Sequence, residues 1–152
     1  MPAGSIRRVT VPLGDGEDCV MVEPVGTANV ELARINEAFA GRPYRYAYAQ
    51  RSSEPGTWWD GLVKVDMLTG EETVWSRPDH WPAEPLFVAR PGGVDEDDGV
   101  VLVTVLGGDG PAAGSYGTSY LLVLDARTMQ PLAEARGPVR IPFTSHGNWY
   151  EN

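Results

Sequence analysis

Hydrophobic and polar residues alternate along most of this chain, in short segments bounded by turn residues. A period of two indicates β-strands, because successive side chains of a strand point to opposite faces of its sheet. No segment has a convincing apolar period of 3.6 residues, although residues 37–43 have room for one helical turn. The pattern therefore predicts an all-β chain. The predicted strands are residues 5–12, 19–22, 28–36, 44–48, 61–66, 71–75, 86–89, 100–106, 119–125, 131–135 and 140–149.

Two of these strands carry further expectations. Residues 100–106 form the most apolar run, which predicts a strand buried on both faces and poor solubility for the chain in isolation. Tyr44, Tyr46 and Tyr48 fall on one face of their strand by period two, so we expect them to pack together as the aromatic face of a sheet.

A weak internal repeat links residues 61–75 to residues 119–135. In each copy a strand ends in Asp, a Thr follows three residues later, and a second strand returns. Such an Asp can accept hydrogen bonds from backbone N–H groups of the turn, and the Thr can do so from the other side. Repeated hairpins of this kind suggest the outer strands of β-propeller blades. Two copies cannot close a ring, so the chain is interpreted as part of a larger propeller or as a small β-sandwich.

Composition narrows the class of protein. A length of 152 residues with 42% apolar residues fits one domain, and 18 Gly and 13 Pro suit many tight turns. The net charge of −9 argues against a nucleic-acid partner. The single cysteine, Cys19, excludes an internal disulfide, and residues 1–5 lack the apolar core of a signal peptide. We therefore expect a cytoplasmic protein with no membrane span.

The chain contains two histidines. By spacing alone, His146 is either a surface imidazole on a C-terminal edge strand or one ligand of a metal whose other ligands lie outside the chain. His80 lies in a Pro-rich stretch and is expected near the surface, without a ligand role. Glu31 and Glu84 would each be taken for exposed strand residues.

Seven segments, taken in order, resemble the carotenoid cleavage oxygenase family. This family includes carotenoid, apocarotenoid and lignostilbene dioxygenases and the retinoid isomerase of the retinal pigment epithelium. Order and spacing match the C-terminal third of the family, over about residues 19–150. Each motif alone is weak, but seven in order are specific. The segments are residues 30–36, 42–48, 61–70, 84–88, 96–102, 120–126 and 141–147.

The resemblance implies a fold and a metal site. The expected fold is the C-terminal blades of a seven-bladed β-propeller, an incomplete ring, with residues 1–152 forming part of one propeller domain and no separate domain. It implies an Fe(II) ion held by four histidines. His146 corresponds to the last of these ligands. Glu31 and Glu84 correspond to two of three glutamates that accept hydrogen bonds from ligand imidazoles, offset the metal charge and fix each imidazole's tautomer.

The resemblance also implies a reaction and partners. Family members add O₂ across one C=C bond of an apolar polyene or stilbene-type substrate and give two carbonyl products. The partners would be that substrate, O₂, the missing N-terminal blades in the same or a separate chain, and a membrane contacted peripherally for substrate uptake. No residue of this chain is assigned a catalytic role beyond the metal site.

The chain departs from the family pattern at several points. Three ligand histidines and the third glutamate are absent, Ala33 stands where proline is usual, and Thr144 and Ser145 replace the commoner apolar approach to the last histidine. The chain alone is therefore expected to be inactive. The competing hypothesis is a truncated β-rich remnant that binds an apolar ligand or a partner without metal.

Overall fold

The computed structural model describes residues 4–13, 19–108, 117, 119–138, 141–142 and 146–150. In this part of the chain the regular structure consists of eleven strands and one 3-10 helix, Glu37–Phe39, which lies where a helical turn was expected. The all-β prediction is confirmed. The strands are β1 Ile6–Thr10, β2 Met21–Val25, β3 Asn29–Arg34, β4 Tyr46–Ser52, β5 Gly61–Asp66, β6 Glu72–Ser76, β7 His80–Pro82, β8 Leu86–Ala89, β9 Gly99–Gly107, β10 Tyr120–Asp125 and β11 Pro131–Arg136.

The strands form three antiparallel groups that follow chain order. Strands β1 and β2 make a two-stranded ribbon, and β3–β4–β5–β6 make a four-stranded meander. In the third group β11, β10 and β9 lie side by side, and β7 and β8 both pair with β9. Four strands in sequence order, repeated in neighbouring sheets, is the arrangement of propeller blades.

The β3–β6 sheet is the centre of the stack and is covered on both sides. One of its faces packs against the β7–β11 sheet in a cluster that includes Tyr48, Leu62, Val103 and Leu122. The opposite face contributes Ala47, Ala49, Val63 and Val65, against which Ile6 and Val25 of the ribbon pack. Residues 61–67 are consequently all buried. Each sheet thus depends on its neighbours for burial of its apolar faces.

The predicted turn chemistry is confirmed in both copies of the repeat. Asp66 accepts hydrogen bonds from the N–H groups two and three residues on, at 2.9 and 3.3 Å. Asp125 does the same at 3.0 and 2.8 Å. Thr69 and Thr128 each accept a bond from the N–H two residues later, at 3.2 and 3.3 Å. The two copies of the repeat therefore form the same type of hairpin turn.

Two strand predictions need correction. Strand β9 is fully buried on the face of Val101, Val103 and Val105 but only half-buried on the face of Leu102 and Thr104, so it is not buried on both faces. Tyr44 lies before β4 and is 40% exposed, whereas Tyr46 and Tyr48 lie on the strand as expected. The aromatic face consists of two tyrosines, because β4 begins at Tyr46.

The predictions for the two histidines and the C-terminal segment also change. His80 is buried, not near the surface; it lies on β7, its Nδ1 donates to the Pro78 carbonyl at 2.7 Å, and its ring meets Tyr120 edge-on. The predicted strand at 140–149 is not a strand at residues 141–142 or 146–150. Thr144 and Ser145 lie outside the described residues. In the described ranges no helix is long and apolar enough to cross a membrane.

Candidate metal centre

Glu84 lies at a bulge in the edge of the third sheet. Pro82 pairs with Val105 and Leu86 pairs with Leu102, so this edge has one residue more than β9 between the two pairs. Pro85 has no N–H to give to the ladder. A bulge with an extra residue re-aims side chains at a sheet edge. Here it frees the Glu84 side chain to turn away from β9 and toward β3.

Strand β3, the edge of the neighbouring sheet, contains a second bulge. Glu31 pairs with Gln50 and Arg34 with Tyr48, so three steps along β3 match two along β4. Leu32 has a φ of +49°, in the left-handed region that such bulges often require. Without the extra residue, Glu31 and Arg34 would point to opposite faces. With it, both lie on the face of Gln50 and Tyr48, which is the face turned toward the third sheet.

The Glu84 carboxylate is the centre of a cluster of four residues, the Glu84 cluster: Glu84, Arg34, His146 and Gly147. Arg34 donates through Nε to Oε1 at 2.9 Å and through Nη2 to Oε2 at 3.2 Å. His146 Nδ1 lies 3.3 Å from Oε2, and the Gly147 N–H donates to the same oxygen at 3.4 Å. The Glu84 side chain is only 7% exposed. The carboxylate is therefore buried with a full set of donors around it.

The protonation state of Glu84 determines the role of His146. Burial by itself raises the pKa of Glu84, but the hydrogen bonds and charge of Arg34, and then the bonds from His146 and Gly147, outweigh it and hold the pKa below its usual value. The ionised carboxylate can only accept hydrogen bonds, so His146 Nδ1 must be the donor. In the neutral imidazole this leaves the Nε2 lone pair free, the arrangement that a metal-ligating histidine requires.

Among the described residues, His146 has the imidazole that could bind a metal ion. His146 is 71% exposed, so its Nε2 edge is accessible. No group of three or more His, Cys, Asp or Glu side chains in the described ranges could hold an ion on its own. Glu84 and His146 thus fit one ligand and its supporting carboxylate, and a metal bound there would need further ligands from outside the described residues.

The structure brings two of the three predicted site residues together. Glu84 and His146 meet, whereas the Glu31 side chain is exposed on β3 and takes part in no hydrogen bond or ion pair among the described residues. Its role stays a prediction. Sequence reasoning missed Arg34 and Gly147, although both stand inside the matched motifs. A buried carboxylate requires compensating charge, and that requirement was a signal for Arg34.

A cavity of about 260 Å³ adjoins His146. Its walls are mainly apolar, formed by Leu86, Leu102 and Leu121 from the half-covered face of the third sheet and by Trp149 from the C-terminal segment. Glu84 and His146 supply the polar edge. An apolar group lying here would be within reach of the imidazole.

The stacked antiparallel sheets are those of part of a β-propeller, and the buried Glu84 carboxylate holds the exposed His146 imidazole at their edge. Residues 1–151 match the family model described as retinal pigment epithelial membrane protein. The chain belongs to this family, the carotenoid cleavage oxygenases.

Relatives and solved structures give the extent of the likeness. The chain is 36% identical to carotenoid cleavage dioxygenase 8 homolog A, chloroplastic, of Oryza sativa subsp. japonica, over 98% of this chain and 26% of that protein. It is 40% identical to beta,beta-carotene 15,15'-dioxygenase of Rattus norvegicus, over 89% and 23%.

A variant of Synechocystis apocarotenoid oxygenase superposes with a TM-score of 0.88 at 30% identity, over 99% of this chain and 31% of that one. A cobalt-substituted form of the same oxygenase gives 0.85 at 30% identity, over the same fractions. The chain therefore spans about a quarter to a third of the length of the relatives that it matches.

Proposed function

We propose that this chain is the part of a carotenoid cleavage oxygenase that supplies the His146 ligand of a non-haem Fe(II) centre. The whole enzyme would cleave a C=C bond of a carotenoid, apocarotenoid or stilbene-type substrate with O₂, giving two carbonyl products. The observation that supports this most directly is the contact between His146 Nδ1 and the ionised Glu84, which leaves Nε2 free.

The residues of this chain would prepare one corner of the site. Glu84 fixes the tautomer and direction of the His146 ring, and its negative charge offsets a cation held by neutral imidazoles. The bound iron would supply the activation of O₂. Glu31, exposed on the same face of β3 as Arg34, would support a ligand imidazole from the missing N-terminal blades. The apolar cavity beside His146 suits a hydrocarbon stretch of substrate.

A chimera tests the proposal. This chain would replace the matching 31% of the Synechocystis apocarotenoid oxygenase chain, a design made reasonable by the TM-score of 0.88 and by solved chimeras of that oxygenase with the retinal pigment epithelial protein. The expected result is about one iron per chimera and cleavage of an apocarotenoid. His146→Ala should lower iron content and abolish cleavage. Full iron content in His146→Ala would contradict the ligand role.

The second candidate function is binding of an apolar ligand or partner without metal. The apolar cavity beside His146 favours it, because such a cavity can take a ligand whether or not iron is present. Both functions predict an isolated chain without stoichiometric iron and without cleavage of an apocarotenoid or a lignostilbene, so the chimera decides between them; stoichiometric iron in the isolated chain would exclude the second function. A wild-type chimera that binds an apolar fluorophore but neither iron nor cobalt would favour this second function.

A further inference from the structure

Arg34 joins three separate segments of the chain. It lies at the end of β3, its Nε and Nη2 grip both oxygens of Glu84 between β7 and β8, and Nη2 also donates to the Gly147 carbonyl at 3.3 Å. The guanidinium is planar and rigid, so gripping both carboxylate oxygens fixes the plane of the carboxylate. The additional hydrogen bond, from Arg34 Nη2 to the Gly147 carbonyl, holds the backbone next to His146 in place relative to this carboxylate.

The C-terminal segment, residues 146–150, is held in place by the hydrogen bonds of Arg34 and Glu84. In the described part of the chain, residues 146–150 have no strand partner, and each of their hydrogen bonds runs to Arg34 or Glu84. The His146 ring is mostly exposed, so little packing restricts its direction. The position of the imidazole therefore follows from where the Glu84 carboxylate and the Gly147 backbone are held.

We infer that Arg34 is a positioning residue for His146, acting through Glu84 and the Gly147 carbonyl. For metal binding this inference rests on the proposed function; for the order of the C-terminal segment it stands by itself. A lysine could supply the charge, but a single ammonium cannot hold both carboxylate oxygens and the carbonyl in fixed directions. The β3 bulge contributes to this positioning, because it places Arg34 on the face of the sheet from which its side chain reaches Glu84.

The test uses the chimera with three variants. Arg34→Gln removes the charge and the two-pronged grip, and Arg34→Lys keeps the charge alone. The control, Arg45→Gln, removes an arginine from another carboxylate, Asp66, to which Arg45 donates at 2.9 Å near the β5–β6 turn. Each variant is examined without metal, by hydrogen exchange of the peptide covering residues 146–150, and then by titration with Co²⁺ followed by its visible spectrum.

The expected results separate the variants. In the metal-free protein, Arg34→Gln should speed exchange of the 146–150 peptide by about fivefold, with Arg34→Lys intermediate and Arg45→Gln unchanged. Affinity for Co²⁺ should fall about 10- to 100-fold in Arg34→Gln, the range typical for loss of a residue that supports a ligand. The cobalt spectrum of Arg34→Lys should shift as its ligand geometry relaxes.

Two outcomes would overturn the inference. One is an Arg34→Gln protein that folds and keeps both wild-type exchange and wild-type cobalt affinity. The other is an Arg34→Lys protein with wild-type exchange and wild-type cobalt affinity, which would show that a positive charge suffices without hydrogen bonds to both carboxylate oxygens. If Arg34→Gln does not fold, the comparison of Arg34→Lys with wild type tests the role of Arg34. A wild-type chimera that binds no cobalt refutes the proposed function instead, and the exchange comparison still decides the role of Arg34.

Discussion

Glu84 and Glu31 occupy comparable places in neighbouring sheets and have opposite surroundings. Each lies at a sheet edge beside a bulge with one extra residue. The Glu84 side chain is 7% exposed and accepts hydrogen bonds from Arg34, His146 and Gly147, whereas the Glu31 side chain is exposed and makes no hydrogen bond or ion pair within the described residues. The bulge sets the direction of a carboxylate side chain, but a neighbouring sheet must supply the hydrogen-bond donors that offset the free-energy cost of burying it.

The largest expected effect on this contrast comes from Arg34→Leu. Removing the guanidinium leaves a buried carboxylate without its main counter-charge, which should lower the free energy of unfolding by about 3 kcal/mol. Urea unfolding of the chain, followed by tryptophan fluorescence, measures it. Arg45→Leu is the matched control, because Arg45 is 49% exposed and its buried partner Asp66 keeps the hydrogen bonds from the Leu68 and Thr69 N–H groups, so the loss should be smaller than in Arg34→Leu. Equal losses in the two variants would remove the distinction drawn for Glu84.

Low pH should weaken the ion pair between Glu84 and Arg34 and so lower the stability of the folded chain. The pKa of Glu84 is lower in the folded chain than its usual value of 4.5, so near that pH the unfolded chain binds more protons and acid favours unfolding. The stabilisation is present above pH 4.5 and is lost as the pH falls through the folded pKa. The unfolding midpoint in urea should therefore drop below pH 4.5, and drop less steeply in Glu84→Gln. Asp66, whose pKa is lowered to about 2 mainly by Arg45, contributes further loss of stability at lower pH in both proteins.

The smallest effect should come from Glu31→Gln. An exposed carboxylate without partners contributes little, so the free energy of unfolding should change by less than about 0.5 kcal/mol. Glu84→Gln is the matched change and should cost about 2 kcal/mol, because it breaks charged hydrogen bonds in a buried site. A loss of 2 kcal/mol from Glu31→Gln would mean that Glu31 already has structural partners in this chain. In the chimera, by contrast, Glu31→Gln should weaken iron binding.

Local pattern determined the elements with good accuracy. Period two and turn residues predicted ten of the eleven strands of the described part approximately, missing the short β7, and the Asp–Thr signature predicted the hairpin turns. These features depend on neighbours in sequence, and short-range hydrogen bonds and alternation encode them directly. The motifs that resemble the family also predicted that His146 and Glu84 belong to one site, and the two side chains are in contact.

Tertiary structure alone decided which side chains meet. Sequence suggested the surface for His80, but β7 places it in the third sheet, where its ring meets the Tyr120 ring edge-on and is buried. Sequence did not reveal that one bulge would turn Arg34 toward Glu84 and a second would turn Glu84 toward Arg34. Residues 34, 84 and 147 are far apart in the chain, and only the packing of one sheet on another brings their charges and hydrogen-bonding groups together. The sequence determined the strands, the turns and the candidate ligand, while sheet packing decided what holds that ligand in place, because burial and donor geometry are properties of the assembled sheets.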